Sequence, residues 1–130
     1  MATSRSLPRT VFAVAGVYGL LTMLPLYGLE ARIARDAPPA ITHPEYFYGF
    51  VGVTVAWQLV FLLVARSPAR LRPVMPAAVV EKLGFGVPAV LLYVQGRIAR
   101  TVFAFGLADL VLAALFVAAY RATSPTGTRA

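Results

Sequence analysis

Two acidic side chains stand inside long apolar runs of this chain, where carboxylates are uncommon. Asp109 occurs in "FGLADLVLA", and Glu81 precedes Lys82 in "AAVVEKLGFGVPAVLL". A central aspartate raises the free energy of inserting a helix into a bilayer by about 2.5–3.5 kcal/mol, so such residues normally face a bundle interior or a cavity and mark a functional site. Carboxylates in that setting can bind the polar group of a lipophilic ligand or transfer a proton.

Polar side chains at helical spacing in two other apolar runs extend this set. Tyr18 and Thr22 are four residues apart, and so are Thr54 and Gln58, which places each pair on one helix face. We expect the threonine hydroxyls to bond back to their own helices and Gln58 to hydrogen-bond to another helix. These groups either hold the helices together or line a ligand site. The candidate ligand-binding residues are Asp109, Glu81, Gln58, Tyr18, Thr54 and Trp57.

The depth of Glu81 and Lys82 decides how they are interpreted. Counted from Pro76, Glu81 lies about 7–8 Å into a helix that rises 1.5 Å per residue. Lys82 lies on a different face and is expected to extend to the lipid headgroups, so the two neighbours form no ion pair. The same count separates Glu81 from Asp109 by about 10 Å along the bundle, too far for direct proton exchange. Glu81 is therefore either an interfacial anchor or an acid that lines a cavity.

Composition predicts that these residues are carried by transmembrane helices. Hydrophobic residues make up 59% of the 130 residues and charged residues 13%, whereas soluble domains are about 45–50% apolar and about 25% charged. Crossing about 30 Å of hydrocarbon takes about 20 apolar residues. The segments of this length are residues 11–29, 46–65, 76–95 and 101–120. Their short links predict one all-α domain, an antiparallel up-down-up-down four-helix bundle with polar tails at residues 1–9 and 122–130.

The arginines predict where this bundle lies and how it is oriented. The net charge is +7, but the basic residues border the apolar runs, which indicates anchoring at a membrane surface rather than nucleic-acid binding. Abundant alanine and arginine are compatible with a GC-rich bacterial genome, so we expect the bacterial inner membrane. The positive-inside rule places both termini in the cytoplasm. The predicted cytoplasmic side carries Arg5, Arg9, Arg66, Arg70, Arg72, Arg121 and Arg129, and the other side carries Arg32, Arg35, Arg97 and Arg100.

The single histidine lies in "ITHPEYFYGF", for which two interpretations compete. Thr42 and Glu45 have the spacing of a capping box, and Pro44 suits a first helical turn. We favour a helix start over a functional His43. One histidine without partners makes no metal or haem site, and the absence of cysteine removes disulfides, thiolate zinc sites and iron–sulfur clusters. We expect neither a metal nor a cofactor.

Small residues and prolines predict how the helices meet. Small residues four apart allow close backbone approach in lipid. Pro25 and Pro88 lie inside predicted spans and are expected to kink their helices. The small-residue pairs are Ala15/Gly19, Gly52/Ala56 and Ala104/Ala108.

Four short spans with acidic residues turned inward resemble the layout of small four-helix membrane families, namely DoxX-like proteins and the EXPERA domain of sterol isomerases and sigma-2-type receptors. The resemblance covers the layout of the whole chain and extends to no motif residue by residue. Buried carboxylates of the EXPERA group line a pocket for lipophilic amines or sterols. The resemblance therefore implies that Glu81 and Asp109 are pocket acids.

We expect a small membrane protein whose bundle encloses a narrow, mostly apolar pocket for a lipophilic small molecule or lipid. The first alternative is an accessory or assembly subunit of a larger membrane complex, or a homo-oligomer, with Arg97, Arg100 and the small-residue faces as docking surfaces. The second alternative is a membrane-embedded isomerase-like enzyme with Asp109 and Glu81 as an acid–base pair.

Overall fold

The computed structural model of the chain describes residues 2–125, with side chains from residue 6 onward. The regular secondary structure of this part of the chain is all helical and includes no strand. Five α-helices are joined by short links and by two 3-10 helices at Leu24–Gly28 and Arg72–Val74. The α-helices are α1 (Ala2–Met23), α2 (Glu30–Asp36), α3 (Pro44–Arg66), α4 (Met75–Val94) and α5 (Arg100–Ala122).

Four of these helices have the length and composition needed to cross a membrane, which confirms the number predicted from the apolar runs. With the adjoining 3-10 turns, the candidate spans are Ser6–Gly28, Pro44–Arg66, Arg72–Val94 and Arg100–Ala122. α1 extends through residues 2–9, which the sequence assigned to a polar tail. Residues 126–130 of the other predicted tail lie outside the described residues.

The helix ends differ from the sequence expectations at three places. Pro25 kinks no continuing α-helix, because α1 ends at Met23 and Pro25 belongs to the following 3-10 turn. The link after this turn contains α2, which the sequence interpretation missed. The predicted capping box is wrong, because His43 is the N-cap of α3 and makes no side-chain cap hydrogen bond. The carboxylate oxygen Oε1 of Glu45 instead lies 3.2 Å from the ring nitrogen Nδ1 of His43.

Three buried phenylalanines form the centre of the packed core. Phe12 of α1 stacks on Phe116 of α5 with ring centroids 4.3 Å apart, and Phe61 of α3 packs edge-on against Phe116 at 5.0 Å. All three side chains are completely buried. The most extensive helix contacts join α1 with α3 and α4 with α5, and α1 also packs on α5, whereas α3 and α4 touch little. α1 is therefore the element that connects the two helix pairs.

Glycines allow the helices to approach closely. The small-residue pairs predicted from the sequence identify only some of these positions. Ala15 and Gly19 are buried, and Gly19 packs against Gln58 of α3, but Ala56 and Ala104 are exposed. α4 and α5 pack closely at Gly106, where a Cβ would overlap the Cβ of Ala89. Helices in lipid associate through such close van der Waals packing, so this contact sets the spacing of α4 and α5.

Replacing Gly106 tests that spacing. We expect Gly106→Ala to lower the free energy of unfolding by about 1–3 kcal/mol, the usual penalty for overpacking. Gly84→Ala in α4 is the matched control, because a Cβ there meets nothing within 4 Å. The control should leave stability unchanged or raise it by up to about 1 kcal/mol through helix propensity. Unfolding followed by circular dichroism in a non-ionic detergent measures both, and equal effects of the two substitutions would contradict the assignment.

Candidate functional site

Three charged side chains of α4 and α5 meet inside the helical part of the molecule. Lys82 is 4% exposed, and its Nζ lies 3.4 Å from Glu81 Oε2 and 3.4 Å from Asp109 Oδ1. It donates a hydrogen bond to Asp109, and its ammonium group lies 5.3 Å from the centre of the Phe61 ring. Both carboxylate side chains are 15% exposed. Glu81, Lys82 and Asp109 are called the charge cluster below.

The charge cluster corrects three expectations from the sequence. Lys82 does not extend to the headgroups, its side chain does pair with Glu81, and the two carboxylates are not separated by the predicted axial distance, because both contact one ammonium group. The depth count treated each helix separately from its own predicted end. α4 is preceded by the 3-10 turn Arg72–Val74, which places Lys82 deeper in its apolar span than a count from Pro76 indicates. Its long side chain then reaches Asp109.

The backbones of α4 and α5 approach each other one helical turn away from the charge cluster, and this contact positions the cluster. Gly86 and Gly106 lie where α4 and α5 are closest, since a Cβ at Gly86 would lie 3.1 Å from the carbonyl oxygen of Gly106. Lys82 precedes Gly86 by four residues and Asp109 follows Gly106 by three, which is about one turn in each helix. The close contact therefore brings these two side chains within reach of each other.

A cavity of about 330 Å³ opens beside the charge cluster, between α1, α3, α4 and α5. All three members of the cluster line it. Of the other candidate residues, Tyr18, Thr54 and Gln58 also line it, whereas Trp57 does not and packs 6.1 Å from Phe61 in the core. The remaining wall is mostly apolar and consists of Gly19, Thr22, Met23, Leu26, Ile33, Phe47, Phe50, Phe85, Val102 and Phe105.

The polar groups of the cavity wall leave acceptors unused. Thr22 and Thr54 donate to carbonyl oxygens of their own helices, as predicted. The prediction for Gln58 is wrong, because its amide nitrogen donates to the Thr54 carbonyl oxygen of the same helix at 2.9 Å. Gln58 Oε1 packs against Gly19, where a Cβ would overlap it, and has no hydrogen bond. Glu81 Oε2 lies within ion-pair distance of Lys82 but also lacks a hydrogen bond.

Sequence reasoning missed Lys82 as a site residue, although a signal was present. Lys82 is the single lysine of the chain, while every other basic position is arginine. Arginine at the ends of the apolar runs suits anchoring, but a lone lysine inside a run needs a buried partner. The nearby carboxylates supply it. This signal points to an ion pair but does not identify which residues form it.

His43 lies in a separate polar region at the link before α3. Its side chain is 65% exposed and contacts Glu45, and the neighbouring Tyr48 hydroxyl donates to Glu30 at 2.7 Å. None of these four residues lines the cavity beside the charge cluster. Phe47, their neighbour in sequence, does line it. Among the described residues, no three His, Cys, Asp or Glu side chains come together as a set that could hold a metal ion.

The fold and this site define a small all-helical chain with four candidate membrane spans and a charged group at its interior. Comparison with protein-family models, with curated proteins and with solved structures finds no match.

Neutralising Lys82 tests the charge cluster. Lys82→Met leaves two largely buried carboxylates without their cation, and loss of one partner of a buried pair costs about 3–5 kcal/mol. The double variant Lys82→Met/Asp109→Leu also removes one of the uncompensated charges. We therefore expect its loss of unfolding free energy to be smaller than the sum of the losses in the two single variants, by at least about 1 kcal/mol. This coupling is obtained from the unfolding free energies, in detergent, of the unmodified chain, Lys82→Met, Asp109→Leu and the double variant. Additive effects would show that the two side chains do not interact.

Proposed function

We propose that the chain is a multi-pass protein of the bacterial inner membrane, with antiparallel spans and both termini in the cytoplasm. The helix contacts support this topology, because the start of α1 meets the end of α3 where Arg9 donates to the Arg66 carbonyl oxygen at 3.2 Å. The end of α4 likewise meets the start of α5, where Tyr93 stacks on Phe103 with ring centroids 4.0 Å apart. The arginine bias, with seven on one side and four on the other, supports the orientation.

We further propose that the cavity beside the charge cluster binds a lipophilic small molecule or lipid that carries at least one hydrogen-bond donor. The observation that carries this proposal is the charge cluster on the wall of an otherwise mostly apolar cavity. Each carboxylate side chain of the cluster keeps 15% of its surface exposed. A donor group on a ligand would bond to the exposed part of these carboxylates.

The alternative role of the charge cluster is purely structural, as an interhelical contact between α4 and α5. Such a contact explains the hydrogen bond from Lys82 to Asp109. It does not explain why the cluster borders a cavity of about 330 Å³, which is within the usual range of about 300–1,000 Å³ for small-molecule sites. A ligand explains the space beside the charge cluster, so we favour binding.

A membrane-embedded isomerase-like enzyme is the second candidate function, and one observation favours it. Glu81 and Asp109 contact the same ammonium group, so both carboxylates could face one substrate in the cavity. A general acid and a general base must each lie within hydrogen-bond reach of the proton they transfer. Binding without turnover and binding with turnover are distinguished by whether the retained molecule is chemically changed after incubation.

Filling the cavity tests the binding proposal. Thr54→Phe places a ring in the cavity, whereas the neighbouring Val53 is 63% exposed on the outer face of α3, so Val53→Phe is the matched control. We expect native mass spectrometry of the protein ejected from its own membranes to show a bound lipophilic molecule in the unmodified chain and in Val53→Phe. Occupancy should fall by tenfold or more in Thr54→Phe. Absence of any bound molecule in the unmodified chain, or equal occupancy in both variants, would contradict the proposal.

Cysteine labelling tests the topology, because the chain contains no cysteine. Ala37 and Ala69 are exposed in links at opposite ends of α3. We expect a membrane-impermeant maleimide to label Ala37→Cys in intact spheroplasts and Ala69→Cys only after permeabilisation. The reverse pattern would place the termini outside the cytoplasm, and labelling of both sites in intact spheroplasts would contradict the membrane-spanning topology.

A further inference from the structure

A second cavity, of about 650 Å³, lies at the end of the molecule where α3 and α5 end and where the first turns of α1 pack beside them. Three arginines line it, namely Arg9, Arg66 and Arg70, together with the hydroxyl-bearing Ser67 and Thr123. Among the described residues, no carboxylate contributes to its wall. The five acidic side chains of the chain belong to Glu30, Asp36, Glu45, Glu81 and Asp109. The described lining of this basic cavity therefore carries positive charge that none of its side chains neutralises.

Helix capping explains some of the arginines at this end but leaves two without a role. Arg9 donates to the Arg66 carbonyl oxygen, and Arg72 donates to the carbonyl oxygens of Tyr120 and Thr123. These bonds satisfy carbonyl groups at the ends of α3 and α5, which are otherwise unpaired in a helix. The side chains of Arg66 and Arg70 make no hydrogen bond or ion pair with any of the described residues. Both are exposed, so their guanidinium groups are available to a ligand.

The position of the basic cavity indicates where such a ligand would come from. The candidate spans that meet here begin at Ser6 and end at Arg66 and Ala122, beside the residues that line the cavity. If these spans cross the bilayer, as proposed above, the cavity lies at the depth of the lipid headgroups. Basic pockets between transmembrane helices on the cytoplasmic side are typical sites for anionic headgroups.

We infer that the basic cavity binds a phosphate group, with Arg66 and Arg70 as its principal contacts. A guanidinium group presents two parallel N–H donors that match two phosphate oxygens, which favours arginine over lysine at such a site. Ser67 brings a hydroxyl group to the same wall, whereas the buried hydroxyl of Thr123 already donates to the Ala119 carbonyl oxygen. The phosphate belongs either to an anionic phospholipid or to free phosphate, and the experiment below separates these sources.

The test is a titration of the full chain in a non-ionic detergent, followed by native mass spectrometry. The probes are dioctanoyl phosphatidylglycerol, dioctanoylglycerol, which lacks the phosphate, and inorganic phosphate. We expect phosphatidylglycerol to bind and Arg66→Gln/Arg70→Gln to weaken its binding about tenfold or more, because two charge-assisted contacts are lost. The matched control is Arg35→Gln/Arg100→Gln, which removes the same charge from exposed positions at the other end and should change binding by less than about twofold.

Each outcome supports or overturns the inference. Binding of phosphatidylglycerol but not of inorganic phosphate assigns the site to a lipid headgroup. Binding of inorganic phosphate with the same dependence on Arg66 and Arg70 assigns it to free phosphate. Equal weakening in the two double variants, or equal binding of phosphatidylglycerol and dioctanoylglycerol, overturns it. Unchanged helix content and melting temperature verify that the variants fold, and the cysteine labelling tests membrane insertion separately.

Discussion

The ion pair that Lys82 forms with Asp109 is the interaction on which the arrangement of α4 and α5 depends. An ammonium group in an apolar span is costly unless it is paired, and here one group contacts two carboxylates at 3.4 Å each. This requirement restricts the rotation of both helices, because Lys82 and Asp109 must face each other. It also restricts their spacing, which the contact between Gly106 and Ala89 makes small. Electrostatics and packing therefore favour the same geometry.

The cavity results from this geometry together with a similar close glycine contact between α1 and α3. Gly19 leaves room for the side chain of Gln58, which would otherwise overlap a Cβ at that position. Gln58 is thereby held beside the cavity with one acceptor oxygen unused. The aromatic core of Phe12, Phe61 and Phe116 packs on the same helices, and Phe61 also lies near the ammonium group of Lys82. The charge cluster thus has an apolar, tightly packed side and an open side toward the cavity.

The sequence predicted the helices well, because hydropathy reports the length of each apolar run directly. α3, α4 and α5 begin and end within two residues of the expected positions, whereas α1 begins at Ala2 and ends at Met23, and a 3-10 turn continues its predicted span to Gly28. The sequence did not predict α2, because this helix has only seven residues and lies in a polar link, where no apolar periodicity reveals it. The capping box failed for a similar reason, since a spacing rule places a helix start only to within a residue or two.

The sequence analysis selected the two carboxylates of the charge cluster but missed Lys82 and the pairing. Periodicity indicates which residues share a face of one helix, but it gives no relative depth for two helices. The separation expected between Glu81 and Asp109 was therefore wrong, and so was the orientation of Lys82. A long flexible side chain also reaches partners that a count of backbone rise does not anticipate. Gln58 shows the same limit, because only the contact with Gly19 explains why it makes no interhelical bond.

The most direct measurement is a solid-state NMR distance between Lys82 Nζ and the Asp109 carboxyl carbon in lipid bilayers. Lys82 is the single lysine, and Asp36 is the one other aspartate, which pairs with Arg32 in α2. Isotopic labelling of lysine nitrogen and aspartate carboxyl carbon therefore reports on one pair. We expect a dipolar coupling between Nζ and this carbon, because Nζ lies 3.4 Å from the attached Oδ1. Asp109→Asn removes the label at this position and so assigns the coupling to Asp109. A lysine nitrogen that shows no coupling to aspartate and exchanges freely with water would contradict the buried charge cluster.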